Sequence, residues 1–234
     1  MPQAVILAGG LGTRLKPFTE IIPKPLLPVG EKAVLEIQIL TLKKYGFDEI
    51  YIATNYKSEY IESFLGDGSR YGVNLFFSKE KRPLGTAGPL TLLKDKLERP
   101  FLVMNGDILT KLNFKKMYQF ALEKGAILTV GTKKWVTPFN FGNIVSNGDY
   151  IKQVEEKPEL VFEIIAGIYV MQPEIFKYIP ENKYYGIDKL IQSLLSRGIP
   201  VARYLINEYW LDIGQIDDYF QAQKIYDTHF KGSL

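Results

Sequence analysis

The first strand signal in the chain ends almost as soon as it begins, and the way it ends constrains everything after it. Ala4 to Ala8 is an unbroken apolar run that stops at Gly9-Gly10 and passes Gly12, Thr13, Arg14 and Lys16. A continuous apolar run, unlike an alternating one, predicts a strand covered on both faces. Such strands belong to parallel sheets sandwiched between helices. Glycines that follow one allow a tight turn and a close approach of backbone N–H groups to a ligand. Backbone donors combined with Arg and Lys suit phosphate oxygens. Leu7, Ala8, Gly9, Gly10, Gly12, Thr13 and Arg14 are therefore candidate contacts to a phosphate-bearing ligand.

Two familiar phosphate loops do not fit. The stretch lacks G-x-x-x-x-G-K-[ST]. Gly10 and Gly12 supply the G-x-G of a dinucleotide fingerprint, but Leu15 stands where its third glycine belongs, and Pro17 interrupts any helix. A dehydrogenase is disfavoured. From these residues alone, a plain glycine turn with solvated basic side chains remains an alternative.

Strand and helix signals then alternate. Lys32–Tyr45 has Leu35, Ile39, Leu42 and Tyr45 at helical spacing, with Gly46 after it. Glu49–Ala53 reads as a strand, Ser58–Leu65 as a helix capped by Ser58, and Val73–Ser78 as a strand. Thr86–Lys96 reads as a helix, Arg99–Met104 as a strand, Phe114–Lys124 as a helix and Ala126–Gly131 as a strand. This order predicts an α/β fold: a Rossmann-like, mostly parallel sheet with helices on both faces. Ligands in such sheets sit beyond the carboxyl ends of the strands.

After about residue 132 the pattern changes. Phe141–Val145, Tyr150–Glu155 and Ile164–Met171 read as strands, and Asn147-Gly148 signals a two-residue hairpin turn. A small antiparallel lobe is expected here. Tyr185–Arg197 reads as a helix, Val201–Ile206 as a strand and Asp217–Thr228 as a last helix, with Asp217 at its N-cap. No linker divides the chain, so one domain over 1–234 is expected, with a first half of about 1–131 and a second of about 132–230.

Several residues could carry chemistry. Asp107 follows an apolar strand, where a free carboxylate is costly without a cation or donors. A turn or capping role is its alternative. Asp212, in EYWLDIGQIDDY, is either a metal ligand or a helix cap. Gly85, Thr86 and Ala87, in LGTAG, are small enough to admit a flat base, or else to pack a helix closely on a sheet. Glu156 and Lys157, before Pro158, read locally as a charged turn, though a carboxylate can accept from hydroxyls and a Lys can meet a phosphate.

Composition removes other chemistries. There is no cysteine and a single histidine, His229, so thiolate zinc sites, disulfides and Cys or His catalysis are disfavoured. A net charge of +3 argues against nucleic-acid partners, and no apolar window is long enough for a membrane span. No leader is evident, and cytoplasm is the expected compartment.

LAGGLGTRLKP followed by IIPKPLLPVG resembles the signature of the sugar-1-phosphate nucleotidylyltransferases, also called nucleotide-sugar pyrophosphorylases; only Phe18 stands where Leu is usual. The resemblance implies the nucleotide-diphospho-sugar transferase fold and the joining of an NTP and a sugar 1-phosphate to give an NDP-sugar and pyrophosphate. It implies roles at the phosphates for Arg14 and Lys24, and Mg²⁺ as cofactor on Asp107 (from LVMNGDIL, with Gly106) and Asp212 (from W-x-D-x-G). Arg14, Lys24 and Asp107 are thereby the expected catalytic residues. LGTAG is most similar to the guanylyl branch, the one resembling GDP-mannose pyrophosphorylases. That implies GTP with a hexose or heptose 1-phosphate, and Glu80 is placed beside the nucleotide. Gly142, Glu156, Lys157, Ala166 and Gly167 match its sugar-site positions. Two departures bear on substrate: Phe141 lacks the usual Tyr hydroxyl, and Ile165 stands where Asn is common. UTP, CTP or dTTP, a non-sugar acceptor such as phosphocholine, or a non-catalytic NDP-sugar-binding subunit are the alternatives. A homodimer is compatible with this family, and no C-terminal β-helix domain is expected.

Overall fold

The computed structural model describes residues 2–232; the ends of the expected 1–234 domain, Met1, Ser233 and Leu234, lie outside the described residues. The strands are β1 (Gln3–Leu7), β2 (Pro28–Val29), β3 (Lys32–Ala33), β4 (Glu49–Thr54), β5 (Asn74–Lys79), β6 (Phe101–Asn105), β7 (Ile108–Thr110), β8 (Leu128–Pro138), β9 (Asn143–Asn147), β10 (Tyr150–Glu155), β11 (Glu159–Met171), β12 (Val201–Leu205) and β13 (Trp210–Asp212). The helices are α1 (Phe18–Ile21), α2 (Val34–Lys44), α3 (Ser58–Leu65), α4 (Phe114–Lys124), α5 (Ile187–Ser196) and α6 (Ile216–His229).

A seven-stranded sheet of order β12-β8-β11-β6-β1-β4-β5 forms the centre. β1 pairs in parallel with β4 and β6, and β4 with β5. β11 alone runs against its neighbours, antiparallel to both β6 and β8. The α/β class with a mostly parallel sheet is as the sequence predicts, and antiparallel pairing enters in the second half. Two apolar clusters cover the two faces. One unites Ile6, Ile52 and Met104 with Leu35, Ile39 and Leu42 of α2; the other unites Val5, Tyr51 and Val103 with Leu190 and Leu194 of α5. Odd and even residues of β1 thus feed different faces, which is why its sequence is apolar throughout.

A third cluster lies outside the sheet. Leu15, Leu27 and Val29 from the first segment pack with Leu211, Ile213, Tyr219, Ala222, Tyr226 and Phe230. The Tyr219 hydroxyl donates to the Pro28 carbonyl at 2.8 Å. Gly30 sits so close to Tyr226 that a Cβ would lie 2.1 Å from its ring. The C-terminal helix is thereby clamped onto the segment that follows the glycine loop.

Several local expectations are corrected. Thr86–Lys96 is not an α-helix; only a 3-10 stretch forms, over Gly88–Leu93. Pro89 removes a donor, and the Ala87 and Gly88 N–H groups are given to the Tyr185 carbonyl at 2.9 and 3.1 Å. Ser58 does not cap α3: Lys57 holds that position at a left-handed φ of 52°, and Ser58 is the first helical residue, its hydroxyl buried. Asp217 does not cap α6; Gln215 is the N-cap, and its N–H is met by Asp218 at 2.8 Å. The hairpin turn falls one residue later than Asn147-Gly148, since Asn147 pairs with Tyr150 across Gly148-Asp149. Gly148, at φ 58°, supplies the left-handed residue the turn requires.

Candidate active site

The carboxyl ends of β1, β4 and β6 meet along one line. The Ala8 N–H donates to the Ala53 carbonyl at 2.8 Å and the Gly106 N–H to the Leu7 carbonyl at 2.9 Å. Beyond them opens a cavity of about 510 Å³. Leu7, Ala8, Gly9, Gly10, Gly12, Thr13, Arg14, Lys24, Glu80, Gly85, Thr86, Gly106 and Asp107 line it, and Asp212 does not. Ala87 does not, being fully buried beneath the wall.

The glycine loop has a defined shape. Gly12 adopts φ 63° and starts the 3-10 turn Thr13–Leu15 that carries Arg14. A Cβ at Gly12 would sit 2.8 Å from Thr19 Cγ2, and the Thr19 hydroxyl donates to the Gly12 carbonyl at 2.8 Å. A second 3-10 turn, Lys24–Leu26, presents Lys24.

Asp107 lies in the turn between β6 and β7. Its chain neighbour in space comes from the far end of the sequence. β13 pairs antiparallel with β7, setting Asp212 opposite Ile108, and the Ile213 N–H donates to the Asp107 carbonyl at 3.0 Å. Trp210 fixes the strand from outside, its indole N–H donating to the Ala166 carbonyl at 2.8 Å. Two aspartates separated by nearly half of the chain therefore share one spot. The Lys24 ammonium is ion-paired with Asp107 Oδ2. A Cβ at Gly214 would lie 3.6 Å from both Arg14 Nη2 and Asp212 Oδ1, which places the guanidinium over the same spot.

The electrostatics reflect that crowding. Burial, together with the Asp107 carboxylate, pushes Asp212 up to about 6, against the pull of Lys24 and Arg14. Asp107 Oδ1 and Asp212 Oδ1 are both buried without a hydrogen-bond partner. Two converging carboxylate oxygens lacking donors are what a hard divalent cation would fill. Among the described residues there is no cluster of three or more His, Cys, Asp or Glu ligands. Mg²⁺ tolerates that, since it is commonly held by one or two carboxylates with water and substrate phosphates as the remaining ligands.

Gln38, Asn55, Asn105 and Tyr184, unlike Glu80, were not singled out from sequence. Gln38, only 2% exposed on α2, donates to the carbonyls of Asn105 and Ile108 at 2.9 and 2.8 Å and so braces the turn that holds Asp107. Its signal was a polar side chain among the inward positions of an otherwise apolar helix. Asn55, Asn105 and Tyr184 also line the cavity. Glu80 is buried, accepts the Leu84 N–H at 2.7 Å and abuts Gly9, where a Cβ would be 2.8 Å from Oε1. Burial raises its pKa. It ties the glycine loop to the 80–84 loop.

The small residues of LGTAG pack closely on the backbone of the 183–187 segment. Gly85 and Gly88 pack closely on the 183–185 backbone, a Cβ at either falling 2.7–2.8 Å from a carbonyl oxygen there. The Thr86 hydroxyl accepts the Ile187 N–H at 2.9 Å, at the start of α5. Gly85 and Thr86 nevertheless keep a surface on the cavity.

The second set of predicted residues is elsewhere. Glu156 and Lys157 are exposed and 3.9 Å from each other, on a projecting ribbon, with Gly142 near Glu156. None of the three lines the cavity. Ala166 is buried, and Gly167, at φ 68°, packs against Asn105, itself a lining residue.

The nucleotidyl transferase family profile matches residues 3–229. The chain belongs to the nucleotidyl transferase family. Among its relatives, the rice protein named probable mannose-1-phosphate guanylyltransferase 1 is 36% identical across 96% of this chain and 64% of its own length. The UTP–glucose-1-phosphate uridylyltransferase of Synechocystis is 35% identical across 94% of this chain and 62% of its own. The chain thus spans under two thirds of the length of both. HddC from Yersinia pseudotuberculosis superposes with a TM-score of 0.77 at 27% identity, covering 97% of this chain and all of that one; it has also been crystallised with GMP-PN. The membership agrees with the sequence resemblance, and these neighbours carry the nucleotide-diphospho-sugar transferase fold. No described helix is long and apolar enough to cross a membrane.

Proposed function

We propose that this chain joins a nucleoside triphosphate to a sugar 1-phosphate, releasing pyrophosphate. The observation that carries the reading is that Arg14, Lys24 and Asp107 line one cavity while the β7–β13 pairing sets Asp212 beside Asp107, with two buried carboxylate oxygens left without donors. A phosphate oxygen of the sugar phosphate attacks the α-phosphorus, a new P–O bond forms, and the bond to the β-phosphate breaks with pyrophosphate leaving. Such a reaction needs alignment and neutralised charge more than covalent help.

In this reading the glycine loop supplies N–H donors to the triphosphate. Arg14 neutralises the departing pyrophosphate, and Lys24 exchanges its Asp107 partner for the α-phosphate and the attacking phosphate. Asp107 and Asp212 would hold Mg²⁺, which when bound supplies positive charge to the phosphate oxygens. Glu80 keeps the two loops at the base end in register. The halves at about 1–131 and 132–230 are assigned to nucleotide and sugar, with Glu156 and Lys157 receiving the sugar phosphate. Cytoplasm, where nucleoside triphosphates are available, is the compartment that fits.

Guanine is the proposed base and a hexose or heptose 1-phosphate the proposed acceptor. Support comes from LGTAG and from the guanylyltransferase name of the rice relative. The Synechocystis relative bears a uridylyl name, so the base is the finer part of the proposal. A pyrophosphate-release matrix of GTP, UTP, CTP and dTTP against sugar 1-phosphates tests both levels. GTP should give the highest turnover. A preference for another base overturns the guanine assignment alone; no turnover anywhere overturns the reaction.

A further inference from the structure

The two cations of the site stand on separate 3-10 turns, Thr13–Leu15 and Lys24–Leu26. The chain between them passes through α1, a single helical turn in which only Thr19 is buried. One turn does not hold itself together in water, because fixing its backbone costs more than its few hydrogen bonds return. At its start Phe18 leans on the Tyr219 ring, with centroids 5.6 Å apart. At its end Ile21 is 76% exposed, so apolar packing does little there. A group from outside the segment must fix that end.

Lys57 is that group. Its ammonium donates to the Glu20 carbonyl at 2.6 Å and to the Ile21 carbonyl at 2.7 Å. A helix leaves its last carbonyls without internal donors, and a cation is a favoured cap for them. The same ammonium lies 5.2 Å from the Tyr56 ring centroid and 5.7 Å from that of Tyr60, contacts that favour a charged donor. The backbone at Lys57 is in the left-handed region, with φ 52° and ψ 39°, where glycine is at ease and lysine is strained. Strain at a residue whose side chain is so engaged points to a use for that side chain. From α1 the contacts lead to the site. The Thr19 hydroxyl and the Leu15 N–H both donate to the Gly12 carbonyl, at 2.8 and 2.9 Å, and Gly12 opens the turn that carries Arg14.

We infer that Lys57 is a positioning residue, a latch on α1 that fixes the segment between Arg14 and Lys24 before a nucleotide arrives. Lys57 does not line the cavity, so its effect reaches the phosphates only through α1, Thr19 and Gly12. Its other place in the fold, as N-cap of α3, uses the backbone alone: the Lys57 carbonyl accepts the Tyr60 N–H at 3.1 Å. Glycine would serve there equally well and would relieve the strain. The kinetic side of the inference rests on the proposed reaction, and the structural side does not.

Lys57→Gly removes the ammonium and keeps the left-handed backbone, which separates the latch from the cap. Hydrogen–deuterium exchange on the free, full chain should show the Leu15 and Ile22 amides, bonded to Gly12 and Phe18, exchanging ~10-fold faster, the scale of a lost hydrogen bond to a charged group. The melting temperature should stay near the parent's. Pyrophosphate release should lose ~10-fold in kcat/KM for the nucleotide, a cost in keeping with a small displacement of a group at the reacting phosphates, while the KM for the sugar phosphate is unmoved. Lys57→Arg keeps a cation for the two carbonyls and should restore both exchange and turnover. Unchanged exchange at Leu15 and Ile22 in Lys57→Gly overturns the latch, whatever turnover does. Faster exchange with unchanged kcat/KM, or a loss that Lys57→Arg does not restore, overturns its link to Arg14. A parent that turns over no nucleotide overturns the proposed reaction instead, and exchange still decides the latch.

Discussion

The proposed nucleotide end of this molecule and its projecting ribbon handle polar groups in opposite ways. At the nucleotide end, functional side chains stand on turns at the ends of buried strands and are held by interior groups such as Gln38 and Glu80. On the ribbon, Glu156 and Lys157 are exposed and only loosely paired, while apolar side chains face water. The first region is shaped before substrate arrives. The second has little in the chain itself to hold it. Preorganised charge is worth more than charge that must be gathered, so substitutions should hurt far more in the first region.

The largest effect tests that asymmetry directly. Arg14→Ala and Asp107→Ala should each lower turnover on the order of 10²–10³-fold, measured by pyrophosphate release, with the fold intact by circular dichroism. Glu156→Gln and Lys157→Met should raise the KM for the sugar phosphate ~10–100-fold, the scale of one charge-assisted hydrogen bond, and leave the KM for the nucleotide unmoved. If the two pairs of substitutions cost equally, the contrast between the regions is wrong. If Lys157→Met acts on the nucleotide instead, the two halves are misassigned.

A subtler prediction concerns a residue that touches neither substrate. Gln38→Leu leaves the carbonyls of Asn105 and Ile108 without their buried donor, at a cost of ~1–3 kcal/mol in stability. Because those carbonyls flank Asp107, turnover should fall even at temperatures where the variant is fully folded. A loss of stability with unchanged kcat would make Gln38 a plain core residue.

How far the sequence announces all this depends on the range of the interactions. β1 and its glycine loop are legible because burial on both faces and left-handed turns leave local marks, and α4 is read to the residue because its Asn113 cap and Gly125 terminus both leave local marks. Thr86–Lys96 misleads because the N–H groups that would start its helix are claimed by Tyr185, some hundred residues away. The meeting of Asp107 with Asp212 is announced only by motif resemblance. Nothing local to either residue encodes the β7–β13 ribbon, which depends on α6 being clamped to the first segment. The exposed apolar ribbon is legible as strands but not as surface, because alternation says which residues share a face and not whether anything covers it.

The smallest predicted effect probes the same cluster without substrate. Asp212 ionises at about 6 in the folded chain because burial and the Asp107 carboxylate oppose its charge; unfolded, it ionises near the ordinary value for an aspartic acid. Between those two values the folded state holds the extra proton. Stability from this group is therefore present below the unfolded value, declines as pH rises through the folded one, and stays reduced above it. In the presence of a chelator, Asp212→Asn should then raise the melting temperature at pH above 6 by about 1–2 kcal/mol, discounted for partial solvent contact, or ~2–8 °C, and have little effect at acidic pH. Adding Mg²⁺ with nucleotide should reverse the order, since the parent alone keeps both carboxylates and is stabilised by what it binds. A variant less stable than the parent in chelator at every pH would mean that the two carboxylates do not strain one another, and that the nucleotide end is no more preorganised than the ribbon.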